Sequence, residues 1–340
     1  MKLPKSSTIA FTPDLHICRL LNGMWQVSGA HGPINPEAAI GAMFDCIDAG
    51  FTTWDLADHY GPAEDFIGEF RRQLAAERGA DSLSEIQVFT KWVPRPGRMA
   101  KPWVESNIDI SRNRMGVDRL DLLQFHWWDY SNENYLSGLT YLAELRDEGK
   151  LRHLGLTNFD TEHLSRITDA GIRIVSNQVQ FSLIDRRPEV AMIPFCQSHG
   201  IQLLTYGTLC GGLLTEKYLR QPEPRGRELN TASLHKYKQM INAWGGWELF
   251  QTLLSTLEEI AQKHGVSISN VAVRAILDRL TVAGVIIGVR LGVTEHRAVN
   301  ACVFDFALDP EDYARIDAIQ SQSRDLYNQI GDCGDEYRSW

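Results

Sequence analysis

What the chain lacks narrows the field first. Its six cysteines, at 18, 46, 196, 210, 302 and 333, show no Cys-x-x-Cys spacing. That excludes the usual zinc and disulfide frameworks and fits reduced, mostly buried thiols. No run approaches the roughly 18 apolar residues of a membrane span, and the opening Met-Lys-Leu-Pro-Lys-Ser-Ser-Thr has no apolar signal core. Positive charge is in deficit, with 34 Lys and Arg against 43 Asp and Glu and a net charge of -9. This argues against a nucleic-acid or anionic-membrane surface. No Pro/Ser/Gly linker divides the chain, and no Gly-x-Gly-x-x-Gly follows the first strand pattern. A soluble, cytoplasmic protein is expected, a monomer or small homo-oligomer whose partner is a small molecule.

What is present is a repeat of strand and helix patterns. Residues 6–21 predict a hairpin turning at Pro13-Asp14, and 19–26 a first barrel strand. In 37–49, Ala38, Ala39, Ile40, Met43, Phe44 and Ile47 fall mostly on one stripe, as a helix requires. Further strands are predicted at 52–55, 86–92, 120–126, 151–157, 172–178, 201–206 and 285–288. Helices are predicted at 63–76, 103–115, 135–147, 161–170, 189–199, 247–263, 269–280, 294–303 and 312–321, and residues 221–230 read as a long loop. The strands are short, nearly continuous apolar runs, the pattern of parallel strands buried on both faces. Eight units without a break predict an α/β fold in which residues 1–340 form a single (β/α)8 TIM barrel with a short N-terminal β-hairpin and extra C-terminal helices.

In such a barrel the active site lies at the carboxyl ends of the strands. Those ends carry Trp25, Asp55 with Tyr60, Lys91, His126, Thr157 with Asn158, Gln178, Tyr206, and Gly288 with Arg290. Taken singly, each has a plain structural reading: Asp55 as an ion-pair partner, Tyr60 as a packed loop aromatic, His126 as a satisfied core histidine. Lys91 is harder to dismiss, because lysine is rarely buried unless paired. Together they suggest proton donation to a carbonyl oxygen. A phenol's ordinary pKa is about 10, and a neighbouring cation lowers it. Lys91 can supply that charge, Asp55 can keep Lys91 protonated, and His126 can donate from a ring nitrogen to the substrate oxygen or assist the transfer. No side chain provides a hydride, so a nicotinamide cofactor is the economical inference.

At this point the sequence resembles the aldo-keto reductase family over nearly its whole length. The matching pieces are Asn22-Gly23-Met24-Trp25-Gln26, Trp54-Asp55 through Tyr60-Gly61, Phe89-Thr90-Lys91, Leu123-Gln124-Phe125-His126, Gly155-Leu156-Thr157-Asn158-Phe159, Ser176-Asn177-Gln178, Thr205-Tyr206-Gly207-Thr208-Leu209, and Gly288-Val289-Arg290 with residues 295–300. The resemblance implies a catalytic tetrad of Asp55, Tyr60, Lys91 and His126, with Tyr60 the proton donor. It implies that Thr157, Asn158 and Gln178 hold the carboxamide and Tyr206 stacks on the nicotinamide. Gly23, Met24, Trp25 and Asp55 would also border the cofactor. Residues 207–213, with Gly207, Thr208, Leu209 and Gly211, would follow the pyrophosphate. Residues 288–300, with Gly288, Arg290, His296 and Asn300, would hold the adenosine end.

Two departures stand out. Tyr206-Gly207-Thr208-Leu209 replaces the Tyr-Ser-Pro-Leu of many members, and the adenosine segment is about two residues longer than the commoner pattern. Arg290 can pair bidentately with a 2′-phosphate, which favours NADP(H) with NAD(H) possible, or it can pair with Glu295.

Trp25, Trp92, Trp127 and Trp128 end or directly follow strands beside the tetrad. They predict an aromatic-walled pocket for a carbonyl or alcohol substrate, with at least one of the four only packing the rim. Trp244, Trp247 and the tail 327–340 are candidates to cover the site. Three other readings stay open: a barrel aldolase using Lys91 as a Schiff-base lysine, a metal-dependent hydrolase using Asp55, Asp58, His59 and His126 despite the absent His-x-His, and a regulatory or channel-associated subunit that keeps the nucleotide with little turnover.

Overall fold

The computed structural model describes residues 2–29 and 32–338. Strands β1 (Thr8–Thr12) and β2 (Leu15–Cys18) form the antiparallel hairpin around Pro13-Asp14. Eight parallel strands follow among the described residues: β3 (Leu20–Gly23), β4 (Thr53–Asp55), β5 (Gln87–Trp92), β6 (Leu120–Phe125), β7 (Leu151–Thr157), β8 (Ser176–Gln180), β9 (Gln202–Tyr206) and β10 (Val282–Gly288). Neighbours pair in chain order, and β10 closes onto β3 to complete the barrel. The helices are α1 (Pro36–Ala49), α2 (Ala63–Arg78), α3 (Lys101–Met115), α4 (Asn134–Asp147), α5 (Thr161–Asp169), α6 (Met192–His199), α7 (Ala232–Trp244), α8 (Trp247–His264), α9 (Ile268–Leu277), α10 (Arg297–Ala301), α11 (Pro310–Gln320) and α12 (Leu326–Ile330).

Local chemistry sets the helix ends. Asn35 accepts from the Ala38 amide before Pro36, and Gly50 at φ 98° ends α1. Asp160, Ser267 and Asp309 cap α5, α9 and α11 in the same way.

The barrel interior is layered. At its amino end Leu21, Phe89, Leu122 and Leu204 meet Phe11, Leu15 and Ile17 of the hairpin, which closes that end with hydrocarbon. Side chains alternate along a strand, so the next inward positions are Lys91 after Phe89, Gln124 and then His126 after Leu122, and Tyr206 after Leu204. One apolar layer therefore places the polar layer at the carboxyl end.

Several expectations shift. The first barrel strand stops at Gly23 and passes into a 3-10 turn, Met24–Ser28, instead of continuing to Gln26. The sixth strand starts at Ser176, not 172, and runs on to Gln180. The helix after it starts at Met192 instead of 189. Helix α7 lies in a stretch that carried no predicted helix. Its signal was present all the same: a Thr231 cap, buried Leu234, Tyr237, Ile241 and Trp244 at helical spacing, and a stop at Gly245-Gly246. No helix among the described residues is long and apolar enough to cross a membrane.

Helices α2 and α3 approach closely at Gly68, where an added Cβ would stand 2.0 Å from the Arg114 backbone oxygen. Gly68→Ala is expected to destabilise by about 1–3 kcal/mol despite alanine's better helix propensity. Urea denaturation checks it, and an unchanged or raised midpoint would show that the helices are free to separate there.

Candidate active site

A cavity of about 880 Å³ at the carboxyl end of the barrel is lined by Tyr60, His126 and Trp128 and also by Arg290, His296 and Asn300. Every residue expected around the cofactor lines it except Met24, and so do all four tetrad positions. Met24 is fully buried in the core beneath the helices, because the turn that ends β3 rotates its side chain away. Trp25 and Trp128 lie on the wall, whereas Trp92 and Trp127 do not. Strand alternation explains both: Lys91 and His126 face inward, so the residues that follow them face outward. Trp92 packs on Trp103 and Phe125, and the Trp127 indole donates to the Asp129 and Asn132 carbonyls.

The centre is a buried network on Asp55. Its Oδ2 accepts from Lys91 Nζ at 2.6 Å, and its Oδ1 accepts from Gln124 Nε2 at 2.9 Å and Gln178 Nε2 at 2.7 Å. Strands β6 and β8 are not neighbours of β4, so these bonds cross the barrel interior. Lys91 also donates to the Leu56 carbonyl at 2.8 Å. Burial holds the Lys91 pKa below its usual value against the pull of Asp55. Gln124 was not among the expected site residues, although it sits two positions before His126 on one face of a strand. Asp58 and His59, which had invited a metal reading, brace the loop: the His59 ring lies 2.9 Å from Asp58, and Asp58 accepts from the Val93 amide. No group of three or more His, Cys, Asp or Glu suited to a metal occurs among the described residues.

Tyr60 departs from the expected electrostatics. Burial, then the charge of Asp55, push its phenol well above the ordinary value instead of lowering it. Lys91 Nζ lies 5.0 Å from the Tyr60 ring centroid but is neutralised by the closer Asp55. Seen from the phenol, the pair carries little net charge. His126 is also uncharged near neutrality, because burial lowers its pKa to about 4.

The rest of the cavity suits an extended ligand whose backbone contacts are close. Gly207, Gly211 and Gly212 follow β9 at φ 71°, 67° and 98°. A Cβ on Gly207 would reach the Tyr237 hydroxyl at 2.2 Å, and one on Gly288 would reach Gln26 at 2.8 Å. Successive glycines in this conformation can aim amides at an anion. Glu295 is engaged by Arg297 at 3.3 Å.

The tail closes one side. Tyr337 lines the cavity with its ring against Trp128, and its hydroxyl lies 3.1 Å from that of Tyr206, which donates to Asn158 at 2.8 Å. Lys236 of α7 donates to Tyr337. Glu336 is gripped by buried Arg187 at 3.0 Å, and Arg187 also forks onto Asp185. Arg338 donates to the Trp127 and Asn158 carbonyls. Trp340 lies outside the described residues. Trp244 is buried, and Trp247 packs on Tyr218 and Phe250, so both sit in the outer helical core and not over the site.

Two outcomes follow from these groups. Arg187→Met strands two carboxylates in the interior and should cost about 3–5 kcal/mol in equilibrium unfolding; wild-type stability would mean that the tail clamp carries no weight. For His126, the folded pKa lies below the unfolded value of 6.5. Between pH 6.5 and 4 the unfolded chain therefore binds the extra proton, and stability falls as pH falls. Acidification from pH 7 to 5 should cost the wild type on the order of 2 kcal/mol more than His126→Phe. Parallel pH dependences in urea titrations would contradict this.

The Aldo/keto reductase family model matches residues 19–321. Flagellar radial spoke protein 5 of Chlamydomonas reinhardtii is 28% identical over 305 residues, covering 72% of this chain and 58% of its own length. The chloroplastic pyridoxal reductase of Arabidopsis thaliana is 29% identical over 241 residues, covering 67% of this chain and 62% of its own. The chain thus spans about three fifths of the length of either relative. The glycerol dehydrogenase of Gluconobacter oxydans superposes with a TM-score of 0.73 at 24% identity, covering 97% of this chain and 98% of that one, which speaks to the fold. With a family match across most of the barrel, the chain belongs to the aldo/keto reductase family.

Proposed function

We propose that the protein is an oxidoreductase that interconverts an aldehyde or ketone and its alcohol with a nicotinamide cofactor, residues 1–340 acting as one unit. The observation that carries this reading is the buried Lys91–Asp55 pair beside Tyr60, in a cavity of about 880 Å³ that is also lined by the residues expected around a nicotinamide cofactor. Thr157, Asn158 and Gln178 would hold the carboxamide, Tyr206 would stack on the ring, and the glycines after β9 would follow the pyrophosphate. Arg290 favours NADPH by pairing with a 2′-phosphate, with NADH as a weaker alternative. Bound there, the nicotinamide supplies the hydride to the carbonyl carbon.

The protein's part is to bind the carbonyl and deliver a proton. Tyr60 rests protonated, and its raised pKa does not prevent donation, because an alkoxide forming on the substrate is a much stronger base than a phenolate. Lys91 lies close enough to stabilise the phenolate left behind. Asp55 keeps Lys91 charged, and Gln124 and Gln178 hold Asp55 in place. A Schiff-base role for Lys91 is disfavoured, since its nitrogen is committed to Asp55 and to the Leu56 carbonyl.

The deciding experiment is titration with NADPH and NADH, followed by turnover on a panel of carbonyls. Tyr60→Phe should reduce kcat by about 10²–10⁴-fold with cofactor affinity little changed, and Lys91→Met should also suppress reduction. Cofactor binding without turnover on any carbonyl would favour the regulatory-subunit reading. Because the phenol is held protonated, the reductive rate should stay level across neutral pH. Alcohol oxidation needs the phenolate, so its rate should climb with pH to beyond 10. An oxidative plateau already reached at pH 7 would contradict this electrostatic account.

A further inference from the structure

Asp55 decides how two amides turn. A carboxylate paired with lysine only accepts, so the atoms that Gln124 and Gln178 place on its Oδ1 are both amide nitrogens, at 2.9 and 2.7 Å. Gln178 Nε2 gives its second hydrogen to Gln124 Oε1 at 2.7 Å. Both hydrogens of the Gln178 amide are thus engaged inside the barrel. Its Oε1 is left for the cavity that Gln178 lines.

Gln124 stands on β6 and Gln178 on β8, with β7 between them. Gly155, registered with Gln124 on β7, adds no side chain to the gap, and a Cβ there would stand 2.5 Å from Ser176 Oγ. Gln124 is fully buried and does not border the cavity. It therefore reaches a cofactor only through Gln178. Asn158 supplies the complementary group: its Oδ1 accepts from the Tyr206 hydroxyl at 2.8 Å, which leaves Nδ2 to the cavity. The Thr157 hydroxyl is turned to the Gln178 backbone oxygen at 3.3 Å. An acceptor from Gln178 and a donor from Asn158 match a primary carboxamide.

We infer that Gln124 is a positioning residue for the cofactor. By taking the second hydrogen of the Gln178 amide, it holds Oε1 toward the nicotinamide carboxamide. The site then rejects a ring that lacks the carboxamide hydrogens. Without Gln124, one hydrogen of that buried amide has no acceptor, and the amide gains by turning its nitrogen to the cavity. This rests on the oxidoreductase reading and adds to it a residue for which the sequence carried no expectation.

The test takes whichever of NADP⁺ and NAD⁺ binds more tightly and compares it with its 3-acetylpyridine analogue. There a methyl replaces the carboxamide NH₂. Affinities are read by quenching of tryptophan fluorescence. The wild type should favour the natural cofactor by about tenfold or more, since a site built to bond an N–H rejects an analogue without one. In Gln124→Met the ratio should fall toward one. Gln124→Glu keeps an oxygen where Gln178 needs an acceptor, so its ratio should stay near that of the wild type. A role confined to packing would weaken both cofactors alike and leave the ratio of the Met variant untouched. Should both variants misfold, ¹⁵N NMR of the wild type decides the matter. The side-chain amide hydrogens of Gln178 should exchange slowly with water, with and without the cofactor. Equal affinities in the wild type, a ratio that survives Gln124→Met or is lost in Gln124→Glu, or fast exchange of that amide overturns the inference alone. Failure of NADP⁺ and NAD⁺ alike to bind overturns the oxidoreductase reading and this inference with it.

Discussion

The structure turns on one carboxylate placed where a charge is expensive. Asp55 sits inside a closed barrel, where an unpaired ion would lose its hydration without recompense. It is tolerated because three donors from three other strands converge on its two oxygens: Lys91 of β5, Gln124 of β6 and Gln178 of β8. That convergence requires the barrel to close in register, and it benefits from the hairpin that closes the other end with Phe11, Leu15 and Ile17. In a low-dielectric interior these bonds are strong, and losing any one exposes the cost of the rest.

The same carboxylate governs the electrostatics above it. By neutralising Lys91 at 2.6 Å it removes most of the positive field that would otherwise have acidified Tyr60. The phenol is therefore held protonated, well above its ordinary range. His126 is governed by a different neighbour, the Thr157 carbonyl of β7, which fixes the proton on one nitrogen, while the other has no hydrogen-bond partner among the described residues.

Alternation along the strands sorts the aromatics. Trp92 and Trp127 follow inward-facing residues and so belong to the layer between barrel and helices, while Trp25 and Trp128 reach the cavity from the loops beyond. A further aromatic contribution comes from far along the chain. Tyr337 arrives on a tail held by the Arg187–Glu336 contact and meets Trp128 and Tyr206.

The eight-fold strand–helix order, the strand ends that carry Asp55, Lys91 and His126, and most helix termini were legible in the sequence, because each depends on local pattern: apolar runs, caps, and glycines past helix ends. Helix α7 was equally local, and its periodicity stood in the sequence unused. What the tertiary structure decided depends on residues far apart. The amide of Gln178 reaches Asp55 from 123 positions away, and the hydroxyls of Tyr206 and Tyr337 meet across 131. Protonation state, tautomer and pocket wall are set by burial and by hydrogen bonds between such distant partners. A linear pattern carries the residue types but not the distances between them, and those distances determine the charge each group holds.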